Sequence, residues 1–355
     1  IIDGVVVHPY LAVPEQLPAQ LVRLSPIITK GGNAKPVWVS EFGFYYPTPE
    51  AAPPHALKMM VLLSAAGVER ADWYALRDEK FYPNMGLFAN GKPKPAFDSF
   101  ATMRTRLLSV GNARRIETGD PLNFVYRFGA TGPFVMWGSG AAISWTGPAK
   151  SWDARGTAIS LPTQLTEVPV IVETQGEYRL GASPAIDDDI LNFGGSSWSY
   201  AVERANGSSA PLRWIDWNWA PYIGAQAFPN IRVMGAAVST SRPPHGLAPR
   251  LVEHYAAPDS GRYFLSACFE SSPGKPQSIK ILSGGQQLFA GNVDGTVRTR
   301  PLALTSPSAE IHYEALTAGG PQVLRRRIRI LRASENGPAL CPPNLKDVDE
   351  RPVAN

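Results

Sequence analysis

Residues 35–44 read Lys35-Pro36-Val37-Trp38-Val39-Ser40-Glu41-Phe42-Gly43-Phe44. An apolar run of strand length ends in one carboxylate, and a phenylalanine and a glycine follow at once. Strands of a parallel sheet, covered on both faces, read as near-continuous hydrophobic runs. A carboxylate at the end of such a run falls at the carboxyl edge of the sheet, where parallel α/β folds build their sites. The plainer alternative is a strand-end glutamate held in a salt bridge.

The flanking residues extend the pattern. IDGVVVHPY (2–10) is an earlier β-branched strand, and VERADWYAL (68–76) a later one. Between them, Leu17, Leu21, Leu24 and Ile28 recur at helical spacing before Gly31-Gly32. PPHALKMMVLLSAAG (53–67) is a second helix, with Pro54 in its first turn and Gly67 as its stop. PAFDSFATMRTRLL (95–108) is a third. Such alternation predicts a parallel sheet covered by helices. Three units do not close a (β/α)8 barrel, which needs eight. The segment is therefore the end of a barrel or a small open sheet. His8, Tyr10, Glu41 and the stretch Trp73–Asp78 all fall at the carboxyl ends of these strands, whereas Asp3 falls at the opposite end.

Beyond residue 110 the helical period disappears. NFVYRFG, GPFVMWGS, AAISWTG, GTAISLP and VPVIVE are short strands separated by Gly, Pro, Asn and Asp. The runs WSYAVE, LRWIDWNW, RVMGAAV, RLVEHYAAP, GRYFLSACFE, QSIKILSGG, EIHYEAL and RRRIRIL predict a further sandwich. In RWIDWNWAPY, Trp217 and Trp219 share one strand face, either a sugar-stacking platform or core packing. Asp187, Asp188 and Asp189 read as a polar turn, with calcium binding the alternative. RRRIRI reads as a solvated strand face.

The 355 residues suffice for two or three domains, and 44% apolar residues supply real cores. With 32 glycines and 34 prolines, turns and short strands are favoured over a helical bundle. The net charge of +4, with no run of five basic residues, gives no signature of a nucleic-acid partner. No stretch reaches the roughly 18 apolar residues of a membrane span. The two cysteines, Cys268 and Cys341, have no metal or redox spacing. They are a buried thiol and an unrelated tail thiol, or a disulfide. The five scattered histidines show no metal spacing, and no phosphate loop or serine-hydrolase elbow is present. Neither cofactor nor metal is expected.

VWVSEFG (37–43) resembles the seventh strand of the clan A retaining glycoside hydrolases, whose glutamate there is the nucleophile. DGVVVHPY resembles their sixth strand, and DWYALRDE with MGLFANGKPKPAF their eighth strand and the approach to the last helix. The likeness is greatest to the xylosidase/iduronidase-like group and related bacterial exopolysaccharide hydrolases, and it is strong over residues 1–110. It implies an α/β plus all-β chain: the last three βα units of a (β/α)8 TIM barrel (1–110), a small β-domain (111–175), a jelly-roll-like β-sandwich (176–333) with a possible carbohydrate-binding role, and a tail (334–355). The resemblance casts Glu41 as nucleophile, with Tyr10 bonding it, His8 and Asp78 near the sugar, and Trp73 stacking beneath it. The family's acid/base glutamate follows an asparagine on the fourth strand, and no Asn-Glu pair occurs in this chain. Glu50 and Glu79 fall in loops, and Glu69 falls at the wrong end of its strand. The expectation is therefore a carbohydrate-active enzyme completed by a segment upstream of residue 1, on the same polypeptide or a second chain. Its expected location is secreted, periplasmic or cell-surface. The competing reading is a non-catalytic glycan-binding or polysaccharide-assembly protein that keeps the barrel as a scaffold.

Overall fold

The computed structural model describes residues 3–30, 32, 34–215, 222–228, 231–240, 249–272, 274–314, 322–333 and 339–342. The chain divides into two compact units, residues 1–186 and 187–343. Most of it is β-sheet.

In the first unit, strands β1 (Val5–Val7), β2 (Val37–Phe42) and β3 (Arg70–Trp73) form a parallel sheet in that order. Helices α1 (Leu17–Ile28) and α2 (Ala52–Ala65) make the crossovers, and α3 (Pro95–Thr102) follows β3. Pro26 lies inside the last turn of α1, and Pro53 and Pro54 lie in the first turn of α2. The expected α/β alternation is present. The described sheet has three strands and is open, so a TIM barrel is not what these residues form by themselves. Its faces differ sharply: Val39 and Phe42 are fully buried, whereas Val6, Trp38 and Arg70, in register across the sheet, are exposed.

Helix α2 is buried nearly all round, including two polar side chains. Lys58 donates to Glu15 at 2.6 Å, and the Trp137 indole N–H donates to the same oxygen at 2.8 Å. His55 bridges the Tyr46 hydroxyl (2.8 Å) and the Leu11 carbonyl (2.7 Å). Burial lowers its pKa to about 4, so it is neutral at neutral pH.

Trp137 belongs to the β-rich portion of the same unit. There β4 (Ala113–Arg115), β5 (Asn123–Phe128), β6 (Phe134–Gly138), β7 (Ile143–Trp145), β8 (Ala149–Trp152), β9 (Ala158–Ile159), β10 (Val170–Thr174) and β11 (Tyr178–Leu180) follow one another. Six form an antiparallel sheet in the order β9-β8-β10-β6-β5-β4, and β11 pairs with β7. Val125, Phe134, Met136, Ile143, Leu165 and Val172 form the core of this portion. Glu15, on the turn before α1, is thus held by α2 and by this sheet together.

The second unit contains a six-stranded and a nine-stranded sheet among the described residues. Strands β12 (Trp198–Glu203), β13 (Arg250–Ala256), β15 (Gln277–Ser283) and β16 (Ser308–Tyr313) belong to the first. Strands β14 (Phe264–Ser271) and β17 (Gln322–Leu331) pair side by side in the second. Here three expectations are corrected. The RRRIRI stretch is not solvated: Arg326 is 0% exposed and Arg327 2%. Both faces of β17 are covered, and buried acids meet its arginines. Arg326 forks onto Glu253 of the facing sheet at 3.1 and 3.2 Å, and Tyr313 donates to that carboxylate at 2.7 Å. Arg327, on the opposite face of the strand, reaches Asp188 at 2.6 Å.

The three aspartates are likewise neither a solvent turn nor an open cation site. Asp187 accepts from the Trp198 indole and the Asn192 amide, Asp188 is held by Arg327, and Asp189 accepts from the Ile328 N–H. Burial, with Glu253 adding to it, holds Asp189 well above the usual carboxylate range despite Arg326 nearby. Finally, Cys268 on β14 and Cys341 form a disulfide with 4.9 Å between their Cα atoms. The reading of two unrelated thiols gives way, because the chain after β17 returns to lie against β14.

Among the described residues no helix is long and apolar enough to cross a membrane.

Candidate active site

Strand β2 delivers Glu41 to the carboxyl edge of the parallel sheet. Its carboxylate is 39% exposed, and its Oε2 accepts a 2.5 Å hydrogen bond from the Tyr10 hydroxyl. The His8 Nδ1 lies 3.8 Å from the same oxygen, while its Nε2 meets Ser40 Oγ at 2.8 Å. Both partners come from the segment after β1, which runs parallel to β2 in adjacent register. Burial and the contact with Glu41 raise the Tyr10 pKa far above its ordinary value, so the phenol is a fixed donor at all working pH. Among the described residues Glu41 Oε1 accepts no hydrogen bond. One oxygen is anchored and the other is free.

Gly43 explains why β3 can come so close. A Cβ at that position would lie 2.3 Å from the Tyr74 carbonyl oxygen. With only hydrogen there, Tyr74 N–H donates to the Phe42 carbonyl at 2.8 Å. The Tyr74–Ala75 peptide is cis. The Tyr74 ring then meets that of Tyr10 edge-on, centroids 6.3 Å apart, and its hydroxyl donates to Glu79.

In the sequence Glu79 reads as a loop residue. The structure brings it to the same edge as Glu41, since it accepts from the Tyr74 hydroxyl, and the Tyr74 ring meets that of Tyr10, the donor to Glu41. The acidic ending of DWYALRDE was the available signal, but loop closure back onto Tyr74 cannot be read from strand periodicity.

The remaining expected residues are placed as follows. Trp73 is half-buried, with its ring edge-on to Phe42 (5.2 Å) and Phe100 (5.4 Å) and its N–H donating to the Met85 carbonyl. Asp78, expected near the sugar, accepts from Lys94 at 2.7 Å and from the Gly86 N–H at 2.7 Å, which anchors the loop after β3. Trp217 and Trp219 lie outside the described residues.

Comparison with known proteins gives only distant likenesses at low identity. No protein-family model and no curated protein matches the sequence. Among solved structures, a β-porphyranase of glycoside hydrolase family 86 from Bacteroides plebeius aligns over 93% of this chain and 63% of its own, at 12% identity and a TM-score of 0.31. A β-glucuronidase from Bacteroides uniformis aligns over 93% and 45%, at 11% identity and a TM-score of 0.27. A CBM61 module in complex with β-1,4-galactotriose aligns over 38% of this chain and 88% of its own, at 13% identity and a TM-score of 0.24. The chain thus spans less than two thirds of the length of either hydrolase. Likenesses of this size establish neither a family nor an activity for it.

Proposed function

We propose that this chain carries the nucleophile of a retaining glycoside hydrolase acting on a polysaccharide or oligosaccharide. The observation that supports the reading is Glu41: a strand-end carboxylate with one oxygen fixed by Tyr10 and the other free. In the proposed reaction the free oxygen attacks the anomeric carbon, and the bond to the leaving oxygen breaks as a second carboxylic acid protonates it. The resulting glycosyl ester on Glu41 is hydrolysed by water, which gives its proton to that same second carboxylate. Tyr10 orients the nucleophile through both steps, and His8 and Trp73 are proposed to meet the sugar.

The second carboxylate is proposed to come from a segment outside residues 1–355 that completes the barrel. The exposed row Val6, Trp38 and Arg70 supports this, as do the outer edges of β1 and β3, unpaired among the described residues. One observation favours a second source, because Glu79 reaches the same edge through Tyr74.

Trapping the complete protein with activated 2-deoxy-2-fluoroglycosides tests the nucleophile. The expected result is a single glycosyl adduct on the peptide containing Glu41. An adduct on any other residue, or product of inverted configuration, contradicts the proposal. Turnover by purified residues 1–355 that Glu79→Gln abolishes would assign the proton donor to this chain.

A further inference from the structure

A cleft lies in the β-rich portion of the first unit. It encloses about 270 Å³ and is lined by Arg127, Phe134, Thr174, Gly176, Glu177 and Tyr178. Arg127 on β5 stands directly opposite Phe134 on β6, so both side chains leave the sheet on one face. The guanidinium carbon lies 4.9 Å from the Phe134 ring centroid. Its Nε is buried and makes no hydrogen bond, and among the described residues it has no carboxylate within ion-pair distance.

The strand on the other side adds a second cation. Arg114 of β4 is the in-register partner of Arg127, it is exposed, and it too has no ion pair among the described residues. Like charges directly opposite each other on an antiparallel pair destabilise it. Several arginines elsewhere are paired with carboxylates, among them Arg106 with Glu173, Arg155 with Asp98 and Arg250 with Glu203. The Arg114–Arg127 pair lacks the anion that would offset its repulsion.

The remaining lining residues restrict what that anion can belong to. A bare inorganic ion would gain from the arginines but would be opposed by Glu177. A ligand that places a carboxylate on the arginines and hydroxyl groups toward Glu177 satisfies both charges. Tyr178 adds a donor: burial raises its pKa, so it keeps its proton. Its ring meets Phe134 edge-on at 5.3 Å and Trp145 at 6.1 Å, which gives the cleft an apolar wall suited to a pyranose face.

We propose that this cleft binds a hexuronate unit of a glycan, its carboxylate held by Arg127 and Arg114 and its hydroxyls by Glu177 and Tyr178. The anion specificity follows from the arginines alone. That the carrier is a sugar rests on the glycan-directed function proposed above. The site is separate from Glu41 and does not need hydrolysis to be observed.

Calorimetric titration of residues 1–355 with sodium glucuronate, glucose, sodium acetate and sodium sulfate tests it. The expected result is saturable binding of glucuronate, tighter than that of acetate, sulfate or glucose. Arg127→Gln should weaken it about tenfold or more, and Arg114→Gln, at an exposed position, by a smaller factor in the same direction. Glu41→Gln should leave it unchanged. Equal affinity for sulfate, acetate and glucuronate would overturn the sugar assignment. Absence of saturable glucuronate binding, or unchanged affinity in both arginine variants, would overturn the site. Because Glu41→Gln separates the two readings, loss of uronate binding leaves the trapping result at Glu41 standing, and the reverse.

Discussion

Glu41 and Glu253 are both glutamates on interior strands of their sheets, and their surroundings are opposite. Glu253 is 0% exposed, forked by Arg326 and bonded by the Tyr313 hydroxyl, so both its oxygens are taken. Glu41 is 39% exposed on its side chain, with one oxygen on Tyr10 and the other accepting nothing among the described residues. A buried carboxylate with every lone pair satisfied serves folding, because removing either partner strands a charge out of water. A carboxylate held at one oxygen and open at the other serves chemistry, because its position is fixed while its reactivity is kept. The contrast separates a structural acid from a candidate nucleophile without reference to motif.

The largest expected effect breaks the structural side of that comparison. Arg326→Met leaves Glu253 buried and unpaired, and should cost about 3–5 kcal/mol in denaturant unfolding of the second unit. A loss below about 1 kcal/mol would mean that the carboxylate finds water or another donor.

Reduction of the Cys268–Cys341 bond comes next. It opens a loop of 73 residues by sequence separation and should destabilise the same unit by about 2–4 kcal/mol. Unfolding that is unchanged with and without reductant would contradict this.

The first unit should respond to pH through His55. The unfolded chain takes up a proton near the ordinary value of 6.5, but the folded chain only near about 4. Stability is therefore complete above pH 6.5 and declines as pH falls toward 4, by up to about 3 kcal/mol. Thermal unfolding of wild type and His55→Gln over that window measures it, and the variant should show the shallower pH dependence.

The smallest stability effect belongs to Glu41. Glu41→Gln keeps an acceptor for Tyr10 at a half-exposed position, so unfolding should shift by less than about 1 kcal/mol. A larger shift would move Glu41 to the structural side of the comparison.

Much of the first unit was legible in the sequence. Leu17, Leu21, Leu24 and Ile28 gave α1 its period, Gly67 gave α2 its end, and the apolar run before Glu41 located the sheet edge. The Tyr10–Glu41 contact followed because neighbouring parallel strands end side by side. What was not legible depends on partners distant in the chain. RRRIRI alternates as a half-solvated strand would, and only Glu253 and Asp188, folded against its two faces, make its arginines interior. The cysteine pairing depends on how the chain returns after β17. The Arg114–Arg127 pair exists only in the register of β4 against β5, which local composition does not determine. Glu79 required a loop to fold back onto Tyr74.

The central claim is that Glu41 forms a bond to sugar. Its most direct measurement is reducing-sugar release from a panel of polysaccharides by the complete protein and by its Glu41→Gln variant, at matched folded fraction. The expected result is a fall of more than about a thousandfold with glycan binding retained. Turnover that survives in Glu41→Gln, or a wild-type protein that binds glycan and releases nothing, would contradict it.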